Sequence, residues 1–202
     1  MNRKKIHNDR GESLPGADQL EAELRREEHK RKYALTLRST VYIMIVAAAV
    51  VVLLSFLLFP IFRIYGSSMS PTINEGEIVI SVKGISFGRG DVVVLTYNNR
   101  LLVKRVIAGP GQWVNIDPDG NVFVDGEPID EPYLVEKAYG DCNITLPYQV
   151  PEGRYFVMGD NRATSQDSRN SVVGCISKEH ILGRAVLRIW PLDSFGIIKK
   201  YS

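Results

Sequence analysis

Residues Val41 to Phe59 read VYIMIVAAAVVVLLSFLLF, nineteen positions without a charge. As an α-helix this run is about 28 Å long, close to the roughly 30 Å of a bilayer's hydrocarbon core. A buried core helix is one competing reading, but an apolar run with no polar face has nowhere to sit in one small domain. A cleaved leader is the other. Its apolar stretch would be shorter, about 7–15 residues, and set near the N-terminus. Here about 40 mostly polar residues come first, and Ala47-Ala48-Ala49 lies inside the run rather than after it. The run therefore reads as an uncleaved anchor, with Pro60 placed to stop the helix.

Flanking charge orients the anchor. Arg25, Arg26, Lys30, Arg31, Lys32 and Arg38 crowd its N-terminal side, and only Arg63 stands close on the other. The bias toward cationic cytoplasmic flanks places the N-terminus in the cytoplasm and residues 61–202 outside a cell membrane. Three parts follow: a charged cytoplasmic tail over 1–38, a membrane anchor over 39–60, and an extracytoplasmic domain over 61–202. Asp18 to Lys32 reads as an exposed charged helix with Asp18 as its N-cap. It suits either a partner or, more simply, a solvated tail whose basic end meets anionic headgroups.

The whole chain of 202 residues carries 25 Lys+Arg against 23 Asp+Glu, a net charge of +2, and the segment beyond residue 60 carries 15 against 16. Neither balance supplies the basic stripe of a nucleic-acid binder. Two cysteines are too few for a disulfide scaffold or a Cys-rich zinc site. With three histidines and no His-x-x-x-His or Cys-x-x-Cys, no metal or cofactor is expected.

From residue 75 onward the pattern is mainly β. Short runs rich in Val, Ile and Tyr span Glu77–Val82, Asp91–Tyr97, Leu101–Ile107, Gln112–Ile116, Asn121–Val124, Arg154–Met158 and Gly183–Trp190. Turn chemistry separates them, for example Asn98-Asn99 and Asp117-Pro118-Asp119-Gly120. Such spacing argues for a β-barrel or sandwich. A short helix is expected near Ser177–Ile181, and an irregular excursion over Asp130–Pro151.

Chemistry has few places to reside. His7 and His29 fall on the cytoplasmic side, which leaves His180 alone for an outer site, in what reads as an exposed turn. A Ser-His-Asp triad is poorly supplied. Asp117-Pro118-Asp119-Gly120-Asn121 lacks the rest of a calcium loop and reads as a hairpin turn. Three segments remain. Gly66-Ser67-Ser68-Met69-Ser70-Pro71-Thr72 follows the anchor closely. Lys104 interrupts the apolar run Leu101–Ile107, where alternation sets it on one face with Leu102 and Val106. A lysine there is costly unless its head escapes or is neutral. Gly159 to Arg169 forms a dense polar loop after a strand.

Taken together these segments resemble the bacterial type I signal peptidases, membrane-bound serine proteases with a Ser-Lys dyad, in their single-span Gram-positive form. The resemblance rests on motifs in the family's order behind one anchor: S-M-x-P-T from Ser68, R-G-D-V-V-V from Arg89, K-R at Lys104, G-D-N-R-x-x-S-x-D-S-R from Gly159, and G-R-A from Gly183. It implies a signal-peptidase-like β domain in which Ser68 is the nucleophile and Lys104 the general base. It implies that Ser165 orients the Lys104 amine and that Asp167 with Arg169, and Asp160 with Arg105, brace the site. It implies the Ser68 N–H as one oxyanion donor. Where some members carry a second donor serine this chain has Gly66, so a Gly66 backbone group or water takes that place. Ala163 and Thr164 also replace a polar pair found in many members. Apolar subsites are implied at Ile64, Met69, Ile73, Leu102 and Val103.

The chemistry agrees with that implication. Serine needs a base beside it, and a free lysine, with a pKa of about 10.4, is protonated at neutral pH. Burial among apolar side chains shifts lysine toward neutrality. Ser68 lies nine residues past Phe59, near where a secretory signal peptide, still in the bilayer, presents its small-x-small cleavage site. The partners implied are secretory preproteins and the lipid bilayer. The rival readings are a Ser-Lys peptidase of the same fold with one narrow client, and a membrane-anchored binding domain that has lost catalysis; the latter is disfavoured because both Ser68 and Lys104 are present. Phe62, Ile64 and Tyr65 suit either lipid contact or core packing. Cys142 and Cys175 share the outer side, and the sequence leaves open whether they are bonded.

Overall fold

The structure, a computed structural model, describes residues 17–201. The part of the tail before residue 17 lies outside the described residues. The chain divides into two compact units, Met1–Leu53 and Leu54–Ser202.

The described residues of the first unit are helical. A single helix, α1, runs over Ala17–Leu58 without a break at residue 38, so the charged stretch and the apolar run share one backbone. None of its residues is buried. Asp18 stands in the first turn rather than as the N-cap, where its carboxylate still opposes the helix dipole. Exposed pairs such as Glu21–Arg25 (3.6 Å) and Glu27–Lys30 (2.8 Å) lace the charged half. The apolar half meets the length and composition of a membrane span.

Beyond the end of α1 the second unit is mainly β. Its strands are β1 (Ile61–Arg63), β2 (Ile78–Val82), β3 (Val92–Tyr97), β4 (Arg100–Ala108), β5 (Trp113–Ile116), β6 (Val122–Val124), β7 (Glu127–Pro128), β8 (Tyr148–Gln149), β9 (Arg154–Met158), β10 (Ile176–Ser177), β11 (Ile181–Trp190) and β12 (Gly196–Ile197). Eight form one antiparallel sheet in the order β1-β2-β11-β3-β4-β9-β10, with β12 on β11. Four form a second sheet, β7-β6-β5-β8. All seven expected strands are present, Arg154–Met158 with the expected ends and the others with an end moved by one or two residues. The helix expected near Ser177–Ile181 shrinks to one 3-10 turn at Lys178–His180, because β10 and β11 claim the residues on either side.

Alternation on β3 explains its unbroken apolar run. Val92 and Val94 face a cluster with Ile64, Met69, Ile73, Val79 and Ala185, while Val93 and Leu95 face one with Val106, Val157, Ile176 and Ile181. Both faces are covered, so the strand needs no polar side. Phe62 packs against the first of these clusters and Ile64 is part of it, so those two serve the core; Tyr65 is exposed. A third cluster joins the second sheet to β9 through Val114, Ile116, Val124, Phe156 and Met158. Cys175 belongs to it, and both cysteines are free thiols.

One irregularity in the large sheet positions the site. Strand β4 pairs with β3 along Arg100–Arg105, but with β9 only from Arg105 onward. Strand β9 ends at Met158 and Gly159 turns away, so among the described residues no strand covers the Arg100–Lys104 edge on that side.

Candidate active site

Lys104 sits at the end of that uncovered edge. It is 3% exposed, and its Nζ donates to Ser165 Oγ at 2.9 Å. Leu102 and Val106 belong to one apolar cluster and Val103 packs on the other, in keeping with the alternation that groups Lys104 with Leu102 and Val106. Burial lowers the Lys104 pKa to about 8; Asp167 opposes that shift and Arg169 adds to it.

Three arginines are buried in this part of the unit, and each has its own carboxylate. Arg105 donates twice to Asp160, at 2.9 and 2.6 Å. Arg169 donates twice to Asp167, at 2.8 and 2.9 Å. Arg162 pairs with Glu131. All six side chains are shut off from solvent. The carboxylates near the amine are thus committed to guanidinium groups, and Lys104 forms no ion pair among the described residues. A buried ammonium without a counter-ion is the unfavourable form, which is why the proton is held loosely. Asp167 shows the opposite outcome. Burial pushes its carboxyl up, but the Arg169 guanidinium and the Gly159 N–H, at 3.0 Å, hold it below the usual carboxylate range.

Ser68 lies on a turn fixed from both sides. Met69 and Ile73 are sunk in the core, and the Asn161 N–H donates to the Ser68 carbonyl oxygen at 3.0 Å. Arg105 reaches Thr72 Oγ1 at 3.4 Å, so the residue beside the lysine also steadies the serine's turn. Gly159 completes the junction. A side chain there would overlap Ser165 and the Ser68 carbonyl oxygen at once. Ser68 and Lys104 line one groove of about 700 Å³, together with Leu102, Thr164, Gln166 and Val173. Gly66 precedes the turn at φ +85°, exposed, with open space where a side chain would stand.

Ser165 bonds Lys104, and the ion pairs implied for Asp167 with Arg169 and for Asp160 with Arg105 are both present. Of the expected apolar subsites, Leu102 lines the groove and Val103 is half-buried beside Met69's cluster. Ile64, Met69 and Ile73 are buried in the core and none of them lines the groove. His180 is exposed and bonds Ser177 at 3.0 Å, a partnership separate from this centre. Among the described residues no three His, Cys, Asp or Glu side chains gather as metal ligands.

Sequence reasoning missed Glu131, Tyr133 and the role of Arg162. Tyr133 donates to Glu131 at 2.8 Å and lays its ring over the Arg105 guanidinium at 3.9 Å. Burial, with Glu131 beside it, pushes the Tyr133 hydroxyl well above its ordinary value. The nearest signal was the irregular composition of 130–151, whose Glu131 pairs across 31 residues with Arg162.

Residues 37–190 match the family model described as signal peptidase, peptidase S26. Signal peptidase I of Bacillus licheniformis is 35% identical over 165 residues, covering 74% of this chain and 86% of its own. Signal peptidase IB of Staphylococcus aureus (strain COL) is 36% identical over 178 residues, covering 76% and 91%. A crystal structure of a signal peptidase I from Enterococcus faecalis V583 aligns over 50% of this chain and 97% of its own, at 28% identity and a TM-score of 0.44. By the family match and the extent of these alignments, the chain belongs to the signal peptidase family, peptidase S26.

Proposed function

We propose that this serine peptidase removes signal peptides from exported preproteins by a Ser68–Lys104 dyad. The observation that carries the assignment of the base is the buried, counter-ion-free Lys104 amine, bonded to Ser165 and lining one groove with Ser68.

Ser68 Oγ attacks the scissile carbonyl carbon while Lys104 Nζ takes the hydroxyl proton. The tetrahedral oxyanion meets the Ser68 N–H; with no hydroxyl at Gly66, the second donor is a Gly66 backbone group or a water. Lys104 passes its proton to the leaving amine as the C–N bond breaks. A water then loses a proton to Lys104 and attacks the ester, and Ser68 recovers its hydroxyl hydrogen as the acyl C–O bond breaks. Ser165 holds the amine in line throughout, and the arginine–carboxylate pairs keep the surrounding charges fixed.

The substrate enters extended, adding its backbone to the uncovered Arg100–Lys104 edge of β4. Leu102, on the groove wall, suits a small residue of a small-x-small site. Ser68 stands nine residues past Phe59, which tethers the nucleophile within about 30 Å of the end of the apolar run. The catalytic unit then faces the outer side of the cell membrane, with the basic flank of α1 in the cytoplasm.

The test is cleavage of an exported precursor carrying an A-x-A site by the full chain in detergent, with products mapped by mass spectrometry. A single cut directly after the A-x-A is expected. Cutting elsewhere, or none by folded protein across several precursors, overturns the reading.

A further inference from the structure

A second cavity, of about 670 Å³, adjoins the proposed catalytic groove. The two share Tyr97, Asn98, Arg100 and Val173 as walls. Between them Tyr97 donates its hydroxyl to the Val172 carbonyl oxygen, tying the β3–β4 hairpin to the loop before β10. Nothing in the catalytic reading uses this second space.

Its lining carries two guanidinium groups and one imidazole. Arg100, Arg154 and His180 face it, and no carboxylate does among the described residues; Glu179, beside His180 in the chain, is not part of the wall. Arg154 stands opposite Ser177 in the β9–β10 pairing, and Ser177 bonds His180, so these groups form one cluster. Arg154 also spends a donor on the Cys175 carbonyl oxygen, at 2.9 Å. Arg100 is exposed, forms no ion pair among the described residues, and borders both cavities. It sits at the far end of the uncovered β4 edge, four residues or about 13 Å from Lys104.

We propose that this second cavity is a subsite for an acidic side chain of the substrate, about four residues from the scissile bond, with Arg100 as its specificity-determining cation. The proposal rests on the dyad reading for where the bond lies. A peptide following the β4 edge away from Lys104 passes Leu102 and reaches Arg100, where a guanidinium without a partner meets a carboxylate at short range. The hairpin amides Asn98 and Asn99 add neutral donors to the same wall.

The experiment uses the full chain in detergent and a set of A-x-A peptides. Each carries one Asp, one Lys or one Ala at a single position, from six residues before to six after the bond. Within one enzyme, the Asp/Ala ratio of kcat/KM is expected to rise about two- to fivefold at positions three to five residues from the bond on one side. In Arg100→Glu the preference inverts, so that Lys becomes the better residue there; Arg100→Gln shows neither preference. Equilibrium binding of a fluorescent Asp peptide to Ser68→Ala protein, weakened by salt and by Arg100→Glu, reads the same subsite without catalysis. A flat ratio across all positions, or an Asp preference that survives Arg100→Glu, overturns the proposal. If no peptide is cut, the dyad reading is at fault, and the binding measurement still decides the subsite.

Discussion

Gly159 lies flush against Ser165: a methyl group on its Cα would overlap both Oγ and Cβ of that serine. The same methyl would strike the Ser68 carbonyl oxygen. One glycine thus sets how near the loop carrying the lysine's partner comes to the turn carrying the serine. Gly159→Ala is expected to lower kcat at least about tenfold through sub-ångström separation of these segments. Overpacking adds about 1–3 kcal/mol of destabilisation. Steady-state kinetics beside a thermal unfolding curve separates the two effects.

Ser165→Ala removes the acceptor that fixes the Lys104 amine. The backbone of the loop stays held by Asp167, whose carboxylate receives the Gly159 N–H. The loss is expected in kcat, about tenfold to a hundredfold, with KM within about twofold. A change confined to KM would assign Ser165 to substrate binding instead.

Lys104 links activity and stability to pH. Its folded pKa is about 8, against about 10.4 for a free lysine. Cleavage should rise with pH and half-saturate near pH 8 as the amine loses its proton. The unfolded chain holds this proton up to about pH 10.4 and the folded chain only to about 8, so stability rises with pH across that window. Below pH 8 the penalty of burying the ammonium stands in full. Lys104→Met is therefore expected to be more stable than the parent at pH 7, by up to about 3 kcal/mol, with the gap closing between pH 8 and 10.4. Unfolding curves at pH 7 and pH 10 check the sign.

Much of the molecule was legible in the sequence, for physical reasons that differ by segment. The anchor could be read because nineteen apolar residues without a charge have few other destinations. Strands β3, β4 and β11 could be read because length and branched side chains give a period. Strands β7, β8, β10 and β12 have two residues each, too few for any period to register, and exist through their partners. Lys104 announced itself as a charge inside an apolar strand. Glu131 did not: it stands in an irregular stretch, and only the fold brings it to Arg162. Met69 and Ile73 were expected at apolar subsites; both are buried in the core, and neither lines the groove that Ser68 and Lys104 share.

Asp160→Asn tests the buried bracing. It leaves the Arg105 guanidinium, sealed from solvent and stacked on Tyr133, without its counter-charge. A loss of about 3–5 kcal/mol is expected. Glu21→Gln, at an exposed pair on α1, should cost within about 0.5 kcal/mol. Thermal unfolding of both variants gives the comparison.

The dyad itself is tested most directly by cleavage of one A-x-A precursor under single-turnover conditions. The parent, Ser68→Ala, Lys104→Met and His180→Ala are compared, each shown to be folded. The first two substitutions are expected to abolish cleavage, and His180→Ala to retain it. Full cleavage by Ser68→Ala or by Lys104→Met would contradict the dyad.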